Sequence, residues 1–272
     1  MGLIIKDDGW RIPDALWEEM ERFLPPRKPH PLGCHNPRVP DRDAMNGILF
    51  GLRTGCQWGA LGATGICNHS SAHRRFQEWV QAGVFEQFWI YGLLCCKELR
   101  RVDWNWLSMD GAMTKAPLGG EKNGPNPTDR AKKGTKRSLL TDGGGIRLSV
   151  VVAGANRNDF NLARETLEHL EVKRPTPTRA HPQGLCLDKD YERSEIRGLL
   201  EEFKFTAHIR ARGEEAQDLK RKARRWVVER THSWLDRFRA VLVRWNKKAE
   251  NYLGMLHLAL GVITFQKSGP LR

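Results

Sequence analysis

Arg137-Ser-Leu-Leu-Thr-Asp-Gly-Gly-Gly-Ile-Arg-Leu-Ser-Val-Val-Val-Ala153 sets two apolar, β-branched runs on either side of Asp142-Gly-Gly-Gly. That is the pattern of a β-hairpin, because the glycines supply the positive φ that a tight turn requires. Upstream, Trp104–Met109 reads as a strand ending at Asp110, and Gly119–Lys136 has no periodicity and reads as a loop. Downstream, a helix over 159–171 precedes a short apolar strand, Leu185–Asp188, then a helix over 192–202 and a strand over 204–210. A long helix over 214–247 and another over Tyr252–Phe265 complete the chain. Three contiguous strands followed by strands alternating with helices make an α/β fold on a mixed five-stranded sheet.

The first hundred residues have another texture. Helices are expected from Ile12 to Leu24, from Asp41 to Gly55, from a Ser70-Ser71 cap to Gly83, and from Phe85 to Leu99. Pro25-Pro26 stops the first, and six prolines in 25–40 mark an extended connector. Short helices on glycine-containing turns fit a helix-turn-helix-like region, and equally any small helical bundle. The expected division is therefore a helical region over 1–100 and an α/β domain over 101–272.

The 272 residues carry 45 Lys and Arg against 32 Asp and Glu, a net of +13, with 40% hydrophobic residues, which excludes wholesale disorder. Residues 1–100 hold only +1 of that charge, and 204–248 alone place 14 basic against 5 acidic residues. A basic field so concentrated suits a polyanion such as nucleic acid, and a solvated helix face would look the same. The longest apolar stretch, Leu253–Phe265, is interrupted by Gly254, His257 and Gly261 and is too short to span a bilayer. No cleavable signal is evident, and six sparse cysteines without a CxxC fit a reducing compartment, so a soluble intracellular protein is expected.

Asp110 and Asp188 close two expected strands, and Glu229 sits on the long basic helix 41 residues after Asp188. Carboxylates at adjacent strand ends, joined by one from a helix laid across them, could converge on two divalent cations. Hard oxygen donors suit Mg²⁺ or Mn²⁺ and phosphoryl transfer. Each acid taken singly is also an ordinary strand-end or surface residue. On a helical wheel Val227, Trp234, Phe238, Val241 and Trp245 form one apolar stripe, with Glu229 nearly opposite among Arg225, His232 and Arg239. A salt-bridged surface would give the same wheel, so spacing leaves the two readings level.

The motifs themselves carry a resemblance. Trp226-Val-Val-Glu-Arg-Thr-His-Ser-Trp-Leu235, followed by Arg237-Phe-Arg239, resembles the glutamate helix of DDE transposases from bacterial insertion sequences, family 5 in particular. Met109-Asp110-Gly111, Lys136–Gly143, Ala155–Asp159 and Leu187-Asp188-Lys-Asp-Tyr191 resemble that family's aspartate segments and hairpin, as Leu52–Trp58 and Arg74–Trp79 resemble its N-terminal part. The resemblance covers nearly the whole chain. It implies a ribonuclease H-like catalytic domain, with Asp110, Asp188 and Glu229 as a triad holding two Mg²⁺ ions, for which Mn²⁺ substitutes.

It further implies cleavage of double-stranded DNA at the element's terminal inverted repeats and transfer into target DNA, by a homodimer on DNA in the bacterial cytoplasm at the nucleoid, with no membrane part. Lys132, Lys133, Lys136, Arg137, Lys222, Arg225 and Arg239 are the expected DNA-binding cations. Two departures stand out: Asp190 replaces a frequent glycine, and Lys222 and Asp236 replace the Tyr and final Lys of a related Tyr-Arg-Glu-Lys signature. The rival readings are a catalytically inactive DNA-binding regulator derived from a transposase and a nuclease of the same fold.

Overall fold

The computed structural model describes residues 9–26, 38–98, 102–210 and 226–268. The hairpin is there, as β3 (Lys133–Asp142) and β4 (Arg147–Gly154), paired antiparallel with an irregularity at Leu140/Thr141. β1 (Trp106–Lys115) runs antiparallel along β3, from Leu107 opposite Asp142 to Lys115 opposite Gly134. β5 (Gly184–Asp188) is parallel to β1, and β6 (Thr206–Arg210) is parallel to β5. The order is β4-β3-β1-β5-β6, with a two-residue β2 (Gly124–Pro125) against the start of β3. Three antiparallel strands followed by two parallel ones form a ribonuclease H-like sheet. The parallel steps are made through α5 (Asp159–Glu168) and α6 (Ser194–Glu202), as a parallel connection requires.

Two expectations are corrected in this sheet. The first strand does not end at Asp110 but continues to Lys115, and the presumed loop before residue 137 supplies the first residues of β3. The cause is mutual pairing: residues 111–115 and 134–138 have little apolar periodicity, yet each satisfies the other's backbone groups.

The N-terminal helices are α1 (Asp14–Glu21), α2 (Asp41–Thr54), α3 (His69–Gln81) and α4 (Val84–Glu98), with a 3₁₀ turn at Trp58–Thr64. The cap of α3 is Asn68 rather than the serines: its side chain accepts hydrogen bonds from the Ser70 and Ser71 amides.

The expected long helix is also corrected. Its part over 214–225 lies outside the described residues, and the remainder is broken into α7 (Trp226–Asp236) and α8 (Arg239–Leu242). Beyond Leu242 the end of β1 captures the chain. Val243 bridges Lys115, and the Arg244 amide donates to the Lys115 carbonyl at 2.8 Å. The buried Arg244 guanidinium then donates to Thr135 Oγ1 at 2.7 Å and to the carbonyls of Asn246 and Lys247. These bonds to fixed acceptors replace helical ones, so the apolar stripe ends early and Trp245 is exposed.

α9 (Ala249–Ser268) returns to lie along α4. The rings of Phe88 and Phe265 stack at 4.7 Å and 2°. A Cβ at Gly261 would stand 2.5 Å from the Phe88 ring, so only glycine permits this approach. Leu16, Ile48 and Phe85 share one buried cluster with Leu139, Leu187 and Leu260, so the halves 1–100 and 101–272 share a continuous core.

Candidate active site

Parallel pairing of β1 and β5 sets Ser108 opposite Cys186, and Asp110 and Asp188 each follow that pair by two residues. β5 ends there while β1 continues. Both aspartates are partly buried. Asp110 Oδ1 accepts from the Gly111 amide at 2.9 Å, and Asp188 Oδ1 accepts from the Asp190 amide at 2.8 Å, capping a 3₁₀ turn over Lys189–Tyr191. Each carboxylate is thus oriented by backbone next to it in sequence. Asp190 itself is exposed in that turn.

α7 lies against β1 and β3 with Val227, Val228, Thr231, His232 and Leu235 buried, and it presents Glu229 to solvent. Arg137 of β3 fastens its far end: Nη2 donates to Asp236 Oδ1 at 2.6 Å, with only 1% of the Arg137 side chain exposed. Arg230 lies 4.4 Å from the Trp226 ring and 4.7 Å from that of Trp234. The buried Arg147 covers Trp234 at 5.0 Å, and burial lowers its pKa to about 9. Among the described residues no three His, Cys, Asp or Glu side chains are grouped closely enough to hold one metal ion.

His232, one helical turn after Glu229, is buried. Burial first, then the Arg137 charge, pushes its pKa down to about 3, while the Asp110 backbone works the other way. A histidine neutral in the folded chain takes up its proton on unfolding at any pH between about 3 and its ordinary 6.5. The unfolded state therefore binds more protons in that window, and stability falls as pH drops through it and is flat above. We expect the melting temperature to decline below pH 6.5, and His232→Gln to remove about one proton from that slope. Thermal melts of both proteins across pH 4–8 check this; equal slopes would refute it.

Three neighbours of the aspartates were not singled out by sequence reasoning in these roles. Asp159, the first residue of α5, lies over Gly111, and Lys136 Nζ donates to its Oδ2 at 2.7 Å. Tyr191 is 1% exposed, and its phenol pKa is raised well above the ordinary value, by burial first and then by Asp159, Asp110, Asp188 and Asp190. In sequence Asp159 carries only the signature of a helix start, and Tyr191 that of an aromatic core residue.

The expected DNA-binding cations divide. Lys132, Lys133 and Arg239 are exposed. Lys136 and Arg137 are buried on Asp159 and Asp236, which withdraws them from the surface role expected of them. The wider reason is strand alternation within a sheet covered on both faces, which the supposed loop concealed. Lys222 and Arg225 lie outside the described residues.

The family described as "Transposase DDE domain" matches residues 107–262, more than half of the chain. The chain belongs to the DDE transposases. A second family, described as "Putative transposase of IS4/5 family", matches residues 12–89 of this transposase. A curated relative from Burkholderia cepacia, "Putative transposase for insertion sequence element IS402", is 33% identical over 157 residues, spanning 53% of this chain and 69% of its own. Another from the same organism, an uncharacterized 16.2 kDa protein of insertion element IS402, is 34% identical over 120 residues, 43% of this chain and 80% of its own. Among solved structures, the Mos1 mariner paired-end complex with Mn gives a TM-score of 0.30 at 14% identity, over 90% of this transposase and 83% of that chain. The strand order identifies the ribonuclease H-like fold, and the family match over residues 107–262, rather than that likeness, identifies the transposase.

Proposed function

We propose that this transposase cuts DNA at the terminal inverted repeats of its element and joins the freed 3′-hydroxyl to target DNA, with Asp110, Asp188 and Glu229 holding two Mg²⁺ ions or Mn²⁺ in their place. The observation that supports the reading is that Asp110 and Asp188 each follow the paired Ser108 and Cys186 of β1 and β5 by two residues, with α7, which carries Glu229, packed against β1. The residues fit such ions. All the donors are hard carboxylate oxygens, and Asp159 Oδ1 and Tyr191 Oη close by are buried without a hydrogen-bond partner. When bound, two such ions would supply electrostatic stabilisation of the attacking and leaving oxygens in an in-line displacement.

The chain's own part is to place those donors. The Gly111 and Asp190 amides hold the aspartates, and the Arg137–Asp236 pair holds α7 to β3. Lys132, Lys133 and Arg239 on the surface, with Lys222 and Arg225, would neutralise phosphates of double-stranded DNA. Pairing two ends calls for two protomers, so a dimer on DNA follows from the reading. No helix among the described residues is long and apolar enough to cross a membrane, and the proposed place of action is the nucleoid in the bacterial cytoplasm.

The test incubates wild type and Glu229→Gln with Mn²⁺ or Mg²⁺ and DNA bearing the repeats that flank the gene. Wild type is expected to give end-specific nicks and joined products, and the variant neither. Binding without cutting by wild type in both metals would point instead to an inactive DNA-binding regulator, and nicks without joined products to a nuclease.

A further inference from the structure

Asp159 is a carboxylate that neither the triad nor the DNA surface uses. Consecutive strand residues point to opposite faces, so Gly111 faces away from Asp110, and Asp159 comes in from that opposite face. A Cβ on residue 111 would lie 1.7 Å from Asp159 Oδ1, so the carboxylate occupies the space that any other residue would fill. Its Oδ2 is held by Lys136 Nζ at 2.7 Å, and only 8% of the Lys136 side chain is exposed. Its Oδ1 is buried and, like Tyr191 Oη, has no hydrogen-bond partner among the described residues. On its open side, Asp159 shares with Asp190 a polar groove of about 510 Å³ beside the turn at 189–193.

We propose that Asp159 and Lys136 are a charge-balanced positioning pair that sets, from behind Gly111, how tightly the Asp110–Asp188 pair holds a divalent cation. The negative member strengthens the field on a cation at the aspartates, and the positive member opposes it. Their balance keeps the affinity moderate. Tyr191, buried in the turn that Asp188 caps, feels the charges of Asp159, Asp110 and Asp188 together. The inference rests on the metal-binding reading above.

Opposite signs test it. Mn²⁺ is titrated into the full chain without DNA, and free Mn²⁺ is counted by electron paramagnetic resonance. Asp159→Asn leaves the Lys136 charge unbalanced and is expected to weaken Mn²⁺ binding about fivefold; Lys136→Met is expected to tighten it by a similar factor. The double variant, neutral at both positions, is expected within about twofold of wild type. A purely structural role would move both single variants the same way, and that result, or unchanged affinities, would overturn the proposal. If Lys136→Met does not fold, Asp159→Asn decides alone, with unchanged affinity the overturning result. Failure of wild type to bind Mn²⁺ would remove the functional reading itself and this inference with it.

Discussion

Asp188→Asn should lower DNA end cleavage by roughly a thousandfold or more while leaving binding to the ends within about twofold of wild type. The substitution is close to isosteric. The amide oxygen that replaces Asp188 Oδ1 would still accept the Asp190 amide bond that caps the 189–191 turn, so the end of β5 keeps its shape. What is lost is one full charge and a hard donor at the end of β5. Several kcal/mol of transition-state stabilisation then disappear, whereas end binding depends on lysines and arginines and is indifferent to a lost carboxylate. Asp190→Asn is the internal contrast. That side chain is exposed in the turn, and its loss should cost no more than a few fold. A labelled-end cleavage assay beside a gel-shift titration measures both quantities. Wild-type cleavage by Asp188→Asn, or an equal loss in Asp190→Asn, would put the ligand elsewhere.

The sequence displays the two aspartates far better than it displays what supports them. The Asp142-Gly-Gly-Gly turn and the runs beside it announce β3 and β4, because turn chemistry and β-branched runs are local signals. The Leu185–Asp188 strand is equally local, as four apolar-rich residues ending in an acid. The forward extension of β1 to Lys115 is not, since Gly111–Lys115 becomes a strand only through its partner, residues 134–138. That same non-local pairing buries Lys136 and Arg137, which a linear reading places on a loop facing DNA.

The break after α7 is hidden for a similar reason. The helical wheel fits Trp226–Asp236 well, but continuing it to Trp245 ignores the acceptors that wait for Arg244 at Thr135, Asn246 and Lys247. Trp245, which the helical wheel places on the apolar stripe, is exposed because that helix stops. Asp159 is the clearest omission. Its partners, Gly111 and Lys136, are 48 and 23 residues away in sequence, and a helix-starting aspartate is too ordinary to attract notice.

The ion pair that fastens α7 to the sheet should be the most sensitive point for stability, and sensitive in one direction. Arg137 is almost wholly enclosed, whereas 38% of the Asp236 side chain is exposed. Asp236→Asn therefore leaves a buried guanidinium without its counter-charge, and the 3.5 Å bond to the Val241 carbonyl is too weak to replace it. Breaking such a pair from the exposed side costs about 3 kcal/mol, or roughly 6–12 °C in melting temperature for a chain of this size. Arg137→Met should cost less, because the carboxylate it abandons can take up water and the methionine fills much of the space.

Activity should follow the same order, since Glu229 rides on the helix that this pair orients. Neutral His232 lies under the same contact, and Arg137 is the second cause of its lowered pKa. Removing Arg137 should thus raise the His232 pKa and shrink the acid-side loss of stability, an effect that Asp236→Asn cannot produce. Thermal melts of the two variants across pH 4–8, with end cleavage measured at neutral pH, separate these expectations. If Arg137→Met proves the more destabilising of the two, the pair is not what holds α7, and packing of Val227, Val228 and Leu235 must do so unaided.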